Sequence, residues 1–118
     1  MFQIGIQRDG YLLAVLTGEA TLSAFRAAGA LIREFCSAEG QTQVLIDLLG
    51  LAPELSQDEH QALGVFLGDA FQGLQVAVVV PAVERVGTSE DVARSAGADL
   101  RTFTSLQEGE AWLKDGRD

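Results

Sequence analysis

The sequence predicts a single α/β domain over residues 1–118, a mixed five-stranded sheet flanked by helices in the order β-β-α-β-α-β-α-β-α. Three observations predict it. An alternating N-terminal segment runs into an Asp9-Gly10 turn, the mark of a hairpin. The nearly continuous apolar runs at 43–48 and 74–80 have the character of strands covered on both faces. Between strands, apolar positions recur at helical spacing behind a Ser or Thr cap.

Phe2, Ile4 and Ile6 alternate with Gln3, Gly5 and Gln7, which predicts a half-buried strand. Arg8-Asp9-Gly10 turns the chain, and 11–16 reads as the second strand, closed by a break at Thr17-Gly18. Thr21 then caps a helix whose apolar positions are Phe25, Ala28, Ile32 and Phe35, with Ser23, Arg26, Arg33 and Glu34 opposite and Gly40 at its end. Segment 43–48 is the third strand. Ser56 and Glu59 form a capping-box pattern ahead of a helix with Ala62, Leu63, Phe66, Leu67 and Ala70 on one face. Pro81 stops the strand at 74–80. Thr88 caps a short helix ending at Gly97, 100–104 is the fifth strand, and Ser105 with Glu108 opens a last helix through Trp112 and Leu113.

With 47% hydrophobic and 21% charged residues, the chain is globular, and its 118 residues bury a core without staples. Seventeen acids against 8 bases give a net charge of -9, which weighs against binding nucleic acid or an anionic membrane surface. It does not weigh against a basic protein partner. No apolar run reaches the roughly 20 residues of a membrane span, and the N-terminus alternates instead of forming a signal peptide. Cys36 is the sole cysteine and reads as a buried thiol in a reducing cytoplasm.

The chemistry-bearing residues do not assemble into a catalytic set. His60 is the only histidine and reads as solvated; a Ser56–His60 pair at i, i+4 lacks an orienting third group, and a capping Ser is already occupied. Asp47, Glu54, Asp58 and Glu59 fit no defined cation loop and read as an acidic rim. No phosphate-binding glycine motif follows any strand. Trp112 reads as a lid on the core under the last helix. The expectation is a protein without enzymatic activity, metal or cofactor.

The strand Val44-Leu-Ile-Asp47 with its following loop, the helix segment Leu63-Gly-Val-Phe66, the strand Val76-Ala-Val-Val-Val80 and the terminal Glu108-Gly-Glu-Ala-Trp-Leu113 resemble the STAS domain. The likeness is to its SpoIIAA-like branch of small bacterial proteins, often grouped with CRAL-TRIO lipid-binding domains. It spans essentially the whole chain. In anti-sigma-factor antagonists of this type, a kinase phosphorylates the Ser of an Asp-Ser-x-Gly motif at the start of the helix after the third strand. Counting from Asp47, Ser56 falls on that position, but Leu55 precedes it and Gln57-Asp58-Glu59 follow without a Gly. A phosphate there would sit beside Asp58 and Glu59, so Ser56 is expected to act as a cap.

The resemblance implies an interaction module of unspecified protein partner. The apolar segment 48–55 and the helix after it are the expected docking site, with Leu51, Leu55, Ser56 and Asp58 as its residues. The grouping with lipid-binding domains implies a second function, a carrier or sensor of a small apolar, lipid-like ligand in a pocket lined by Phe25, Ile32, Phe66 and Phe71. Gln3, Gln7 and Arg8 blunt the first strand as a sheet edge, which leaves a monomer or a weak homodimer through helix or loop surface.

Overall fold

The computed structural model describes residues 2–8, 11–53, 56–81 and 99–115. Strands β2 (Leu12–Ala20), β3 (Gln43–Pro53), β4 (Gln75–Val79) and β5 (Asp99–Phe103) pair in parallel. Strand β1 (Phe2–Arg8) adds antiparallel to the free side of β2, so the sheet order follows the chain, β1-β2-β3-β4-β5. The described helices are α1 (Leu22–Glu39), α2 (Gln57–Ala70) and α3 (Leu106–Asp115). The helix expected over 88–97 lies outside the described residues.

Because successive parallel strands step in one direction across the sheet, right-handed crossovers place α1 and α2 on the same face. Leu12, Ala14, Leu16, Val44, Ile46 and Val76 bury that face against Phe25, Ala28 and Ile32 of α1 and Leu63 of α2. The opposite face carries a second cluster, in which Tyr11, Leu45, Ala77 and Val79 meet Leu113 of α3. Alternate residues of β2, β3 and β4 thus serve two cores, which is why these strands are so continuously apolar.

Close packing of α1 on α2 depends on Gly29: a Cβ there would lie 2.7 Å from Cε2 of Phe66. Arg33 of α1 also reaches the turn that follows α2, donating from Nη1 to the carbonyl oxygen of Gln72 at 3.1 Å. On the other face, the end of α3 is received by two glutamines. Gln43 Nε2 donates to the Leu113 carbonyl at 2.6 Å and to Gln75 Oε1 at 2.9 Å, while Gln75 Nε2 donates to the Trp112 carbonyl at 3.5 Å. Gln43 and Gln75 are partners in the β3–β4 register, so a sheet pair satisfies helix-end carbonyls that α3 itself leaves open.

Two local expectations are corrected. Thr17-Gly18 does not break β2: the strand continues to Ala20, with Gly18 at φ 100° inside it. Phe35 is not a core position of α1, for it is exposed while Cys36, one residue on, is buried in the first core. Both fit a helical spacing from Ile32, but the three-residue step to Phe35 stops about 60° short of a full turn, away from the side on which buried Phe25 and Cys36 lie.

Candidate docking site at the end of the sheet

Segment 48–53, expected as a loop, is the second half of β3. It pairs with the extension of β2, Gly50 opposite Thr17, Leu51 opposite Gly18, Ala52 opposite Glu19 and Pro53 opposite Ala20. The register slips on the way. From Val15 to Thr17 is two residues, whereas their partners Asp47 and Gly50 are three apart, so β3 accommodates one extra residue as a bulge. Asp47 holds the bulge by accepting the Leu49 amide on Oδ1 at 2.9 Å. Gly50 follows because a Cβ there would come within 3.0 Å of Thr17 Cγ2.

The bulge sets the side chains that come next. Leu48 turns inward against the first core. Leu49 turns out and is 42% exposed. On the other side of β3, pairing with β4 ends at Asp47–Val79. Among the described residues, 50–53 therefore pair only with β2, and with it they form a two-stranded extension past the end of β4.

Ser56 stands in extended backbone, φ -75° and ψ 170°, and opens α2 as a complete capping box. Its Oγ accepts the Glu59 amide at 3.2 Å, and its own amide donates to Glu59 Oε1 at 3.1 Å. Two otherwise orphaned amides are satisfied by one pair of residues. Asp58 is exposed in the same first turn, where its charge complements the helix dipole. The expected site residues thus divide. Ser56 and Asp58 share the start of α2, Leu51 lies in the β3 extension with its side chain outside the described residues, and Leu55 falls wholly outside them. Leu49 lies in the expected segment 48–55 but was not singled out within it; the Asp two positions before it is the one local sign that the chain turns there.

The residues expected to line an apolar pocket belong to the packed interior. Phe25, Ile32 and Phe71 are buried in the first core, Phe71 completely, and the half-buried Phe66 fills the approach to Gly29. Of the expected acidic rim, Asp47 is engaged by Leu49 and Glu59 by Ser56, while Glu54 is outside the described residues. Among the described residues no group of three His, Cys, Asp or Glu is placed to hold a metal ion. The His60 side chain lies outside the described residues. No described helix is long and apolar enough to cross a membrane.

Trp112 caps the second core half-buried, with its ring 5.7 Å from that of Phe103 and the Arg101 guanidinium 5.5 Å from its centroid. Burial pushes the Cys36 thiol pKa up, and the nearby Arg33 charge offsets part of that rise.

A sheet stepping in one direction, two helices on one face and a Ser-capped helix after β3 give this chain a SpoIIAA-like fold. An anti-sigma factor antagonist from Mycobacterium paratuberculosis superposes with a TM-score of 0.68 at 13% identity, over 98% of this chain and 96% of that one. An uncharacterized protein with a SpoIIAA-like fold from Shewanella loihica superposes with a TM-score of 0.58 at 21% identity, over 95% of this chain and 93% of that one. No protein-family model matches the sequence, and no curated protein does.

Proposed function

We propose that this protein is a non-enzymatic interaction module that docks a protein partner through the β3 extension and the first turn of α2. The observation that carries the reading is the reach of β3 beyond the end of β4, with Leu49 exposed at its base and Asp58 exposed in the first turn of α2, the next helix in the chain. An exposed apolar side chain together with an exposed acid suits a partner segment of mixed apolar and basic character. The likeness to an anti-sigma factor antagonist supports a protein partner in preference to a small substrate.

Ser56 serves this site as a cap and not as a phosphoserine switch. Its hydroxyl already holds the Glu59 amide, and a phosphate added there would crowd Asp58 and Glu59 with like charge. The net charge of -9 and the single buried cysteine support a setting in the bacterial cytoplasm, away from nucleic acid and anionic membrane. The carrier reading draws on the grouping of such domains with lipid-binding ones. It requires α1 and α2 to part where Phe66 now fills the space against Gly29, and the packing supplies no observation in its favour.

Site-specific photo-cross-linking tests the proposal. A photoreactive residue at Leu49 or Asp58, in protein expressed in its own host, should give the same discrete protein adduct. The same residue at Gln107, exposed on α3 across the sheet, should not. Adducts only from Gln107, or a lipid-sized mass retained in native mass spectrometry, would overturn it.

A further inference from the structure

The sheet separates two cores of unequal size. The first joins the strands to α1 and α2, and no described side chain of α3 enters it. The second is closed by α3, of which Gly109 and Leu113 are buried and Trp112 is half-buried. Beneath them lie Tyr11, Leu45, Ala77 and Val79, all fixed by the sheet or its entry. Removing α3 therefore uncovers one face of β3 and β4 and leaves the packing of α1 and α2 as it is.

The ties of α3 let it leave as a unit. Its first turn is capped from within: Ser105 Oγ accepts the Glu108 amide at 3.2 Å and donates to Glu108 Oε1 at 3.1 Å. At the other end, Gln75 and Gln43 donate to the carbonyls of Trp112 and Leu113. When α3 lifts away, water takes over those carbonyls, and Gln43 Nε2 still donates to Gln75 Oε1. Charge acts in the same direction. Glu108, Glu110 and Asp115 against Lys114 alone set a negative helix on a protein of charge -9.

The seat of α3 is also selective. A Cβ at Gly109 would lie 3.3 Å from Val79 Cγ2 and 3.4 Å from Leu45 Cδ1, so the closest approach is made for a glycine. Three positions on, the seat takes an aromatic ring between Phe103 and Arg101; four positions on, it takes a leucine. The two glutamines then receive the carbonyls of the helix end. We infer that α3 is a displaceable lid, and that the groove beneath it takes in its place an amphipathic partner helix with glycine, aromatic and leucine at this spacing. The groove lies across the sheet from α1 and α2, so the inference is independent of the reading given for Leu49 and Asp58.

Hydrogen exchange and a peptide probe test it on the full chain. The amides of residues 110–113 should exchange together, with protection roughly 100-fold or more below that of Val44 and Val76. The probe is a fluorescent peptide of residues 104–115, stapled as a helix between the exposed positions 107 and 111. Protein carrying Leu113→Ala should bind it about tenfold or more tighter than the wild type does, because its own helix fills the groove less of the time. Trp112→Ala, a change at a half-buried position, should act in the same direction and decides the matter if Leu113→Ala does not fold. Leu63→Ala, which weakens the first core, should bind no tighter than the wild type. Protection of 110–113 equal to that of Val44 and Val76, no capture of the peptide by either lid variant, or an equal gain from Leu63→Ala would overturn the inference.

Discussion

Asp47 Oδ1 accepts the amide hydrogen of Leu49 at 2.9 Å, within the bulge that separates the five-strand part of the sheet from the β2–β3 extension. A local hydrogen bond thereby fixes which of two adjacent leucines, Leu48 or Leu49, enters the core. The candidate docking surface depends on that choice.

Removing the acceptor should therefore loosen the extension before it loosens the sheet. Asp47→Ala is expected to lower stability by about 1 kcal/mol, the usual net worth of one hydrogen bond, and Asp47→Asn by less because its carbonyl still accepts. Hydrogen exchange should speed up at residues 48–53 in the Ala variant while Val44 and Val76 stay protected. Equal acceleration at both places would show that the bulge has no separate role.

The glutamine pair makes the second prediction. Gln43→Leu leaves the Leu113 carbonyl and Gln75 Oε1 without their donor in a buried place, and it should cost roughly 2–3 kcal/mol. The loss should appear first at α3. Trp112 is the only tryptophan, so its emission should shift to the red at denaturant concentrations where far-ultraviolet circular dichroism is still native. Coincident transitions would mean that α3 does not depend on this contact.

Cys36 makes a prediction about pH. Burial raises its thiol pKa in the folded protein, with Arg33 opposing, so the native state favours the protonated form more than the unfolded chain does. The associated stability is fully present below the unfolded thiol value of about 8.5 and is lost as pH rises through the folded value. Urea midpoints of the wild type should fall above that pH more steeply than those of Cys36→Ala. Parallel curves for the two proteins would contradict the assignment.

What was legible in the sequence follows from the range of the forces involved. The caps at Thr21 and Ser56 are local: each is a side chain reaching an amide three residues on, and the sequence shows both partners. The interior strands were legible because burial on both faces leaves an apolar run that nothing else explains. Phe35 and Cys36 show where this fails, since hydrophobicity favoured the phenylalanine while the helix phase set by Phe25, Ile32 and the sheet chose the cysteine. The β3 extension was hidden for another reason. Gly50 and Pro53 read locally as loop residues, and only pairing with β2, more than thirty positions away, makes them strand. The Gln43–Leu113 bond spans 70 positions, and no local pattern announces it.

The most direct test of the account is the behaviour of Ser56 variants carrying the photoreactive residue at Leu49. As a cap, Ser56→Asp should match the wild type in stability or exceed it slightly, since Asp caps as well and adds favourable charge at the helix start. Ser56→Ala should lose about 1 kcal/mol. All three proteins, kept below their unfolding transitions, should then yield the same partner adduct in similar amount. Loss of that adduct in Ser56→Asp alone, with Ser56→Ala still capturing it, would show a phosphoserine switch and contradict the account.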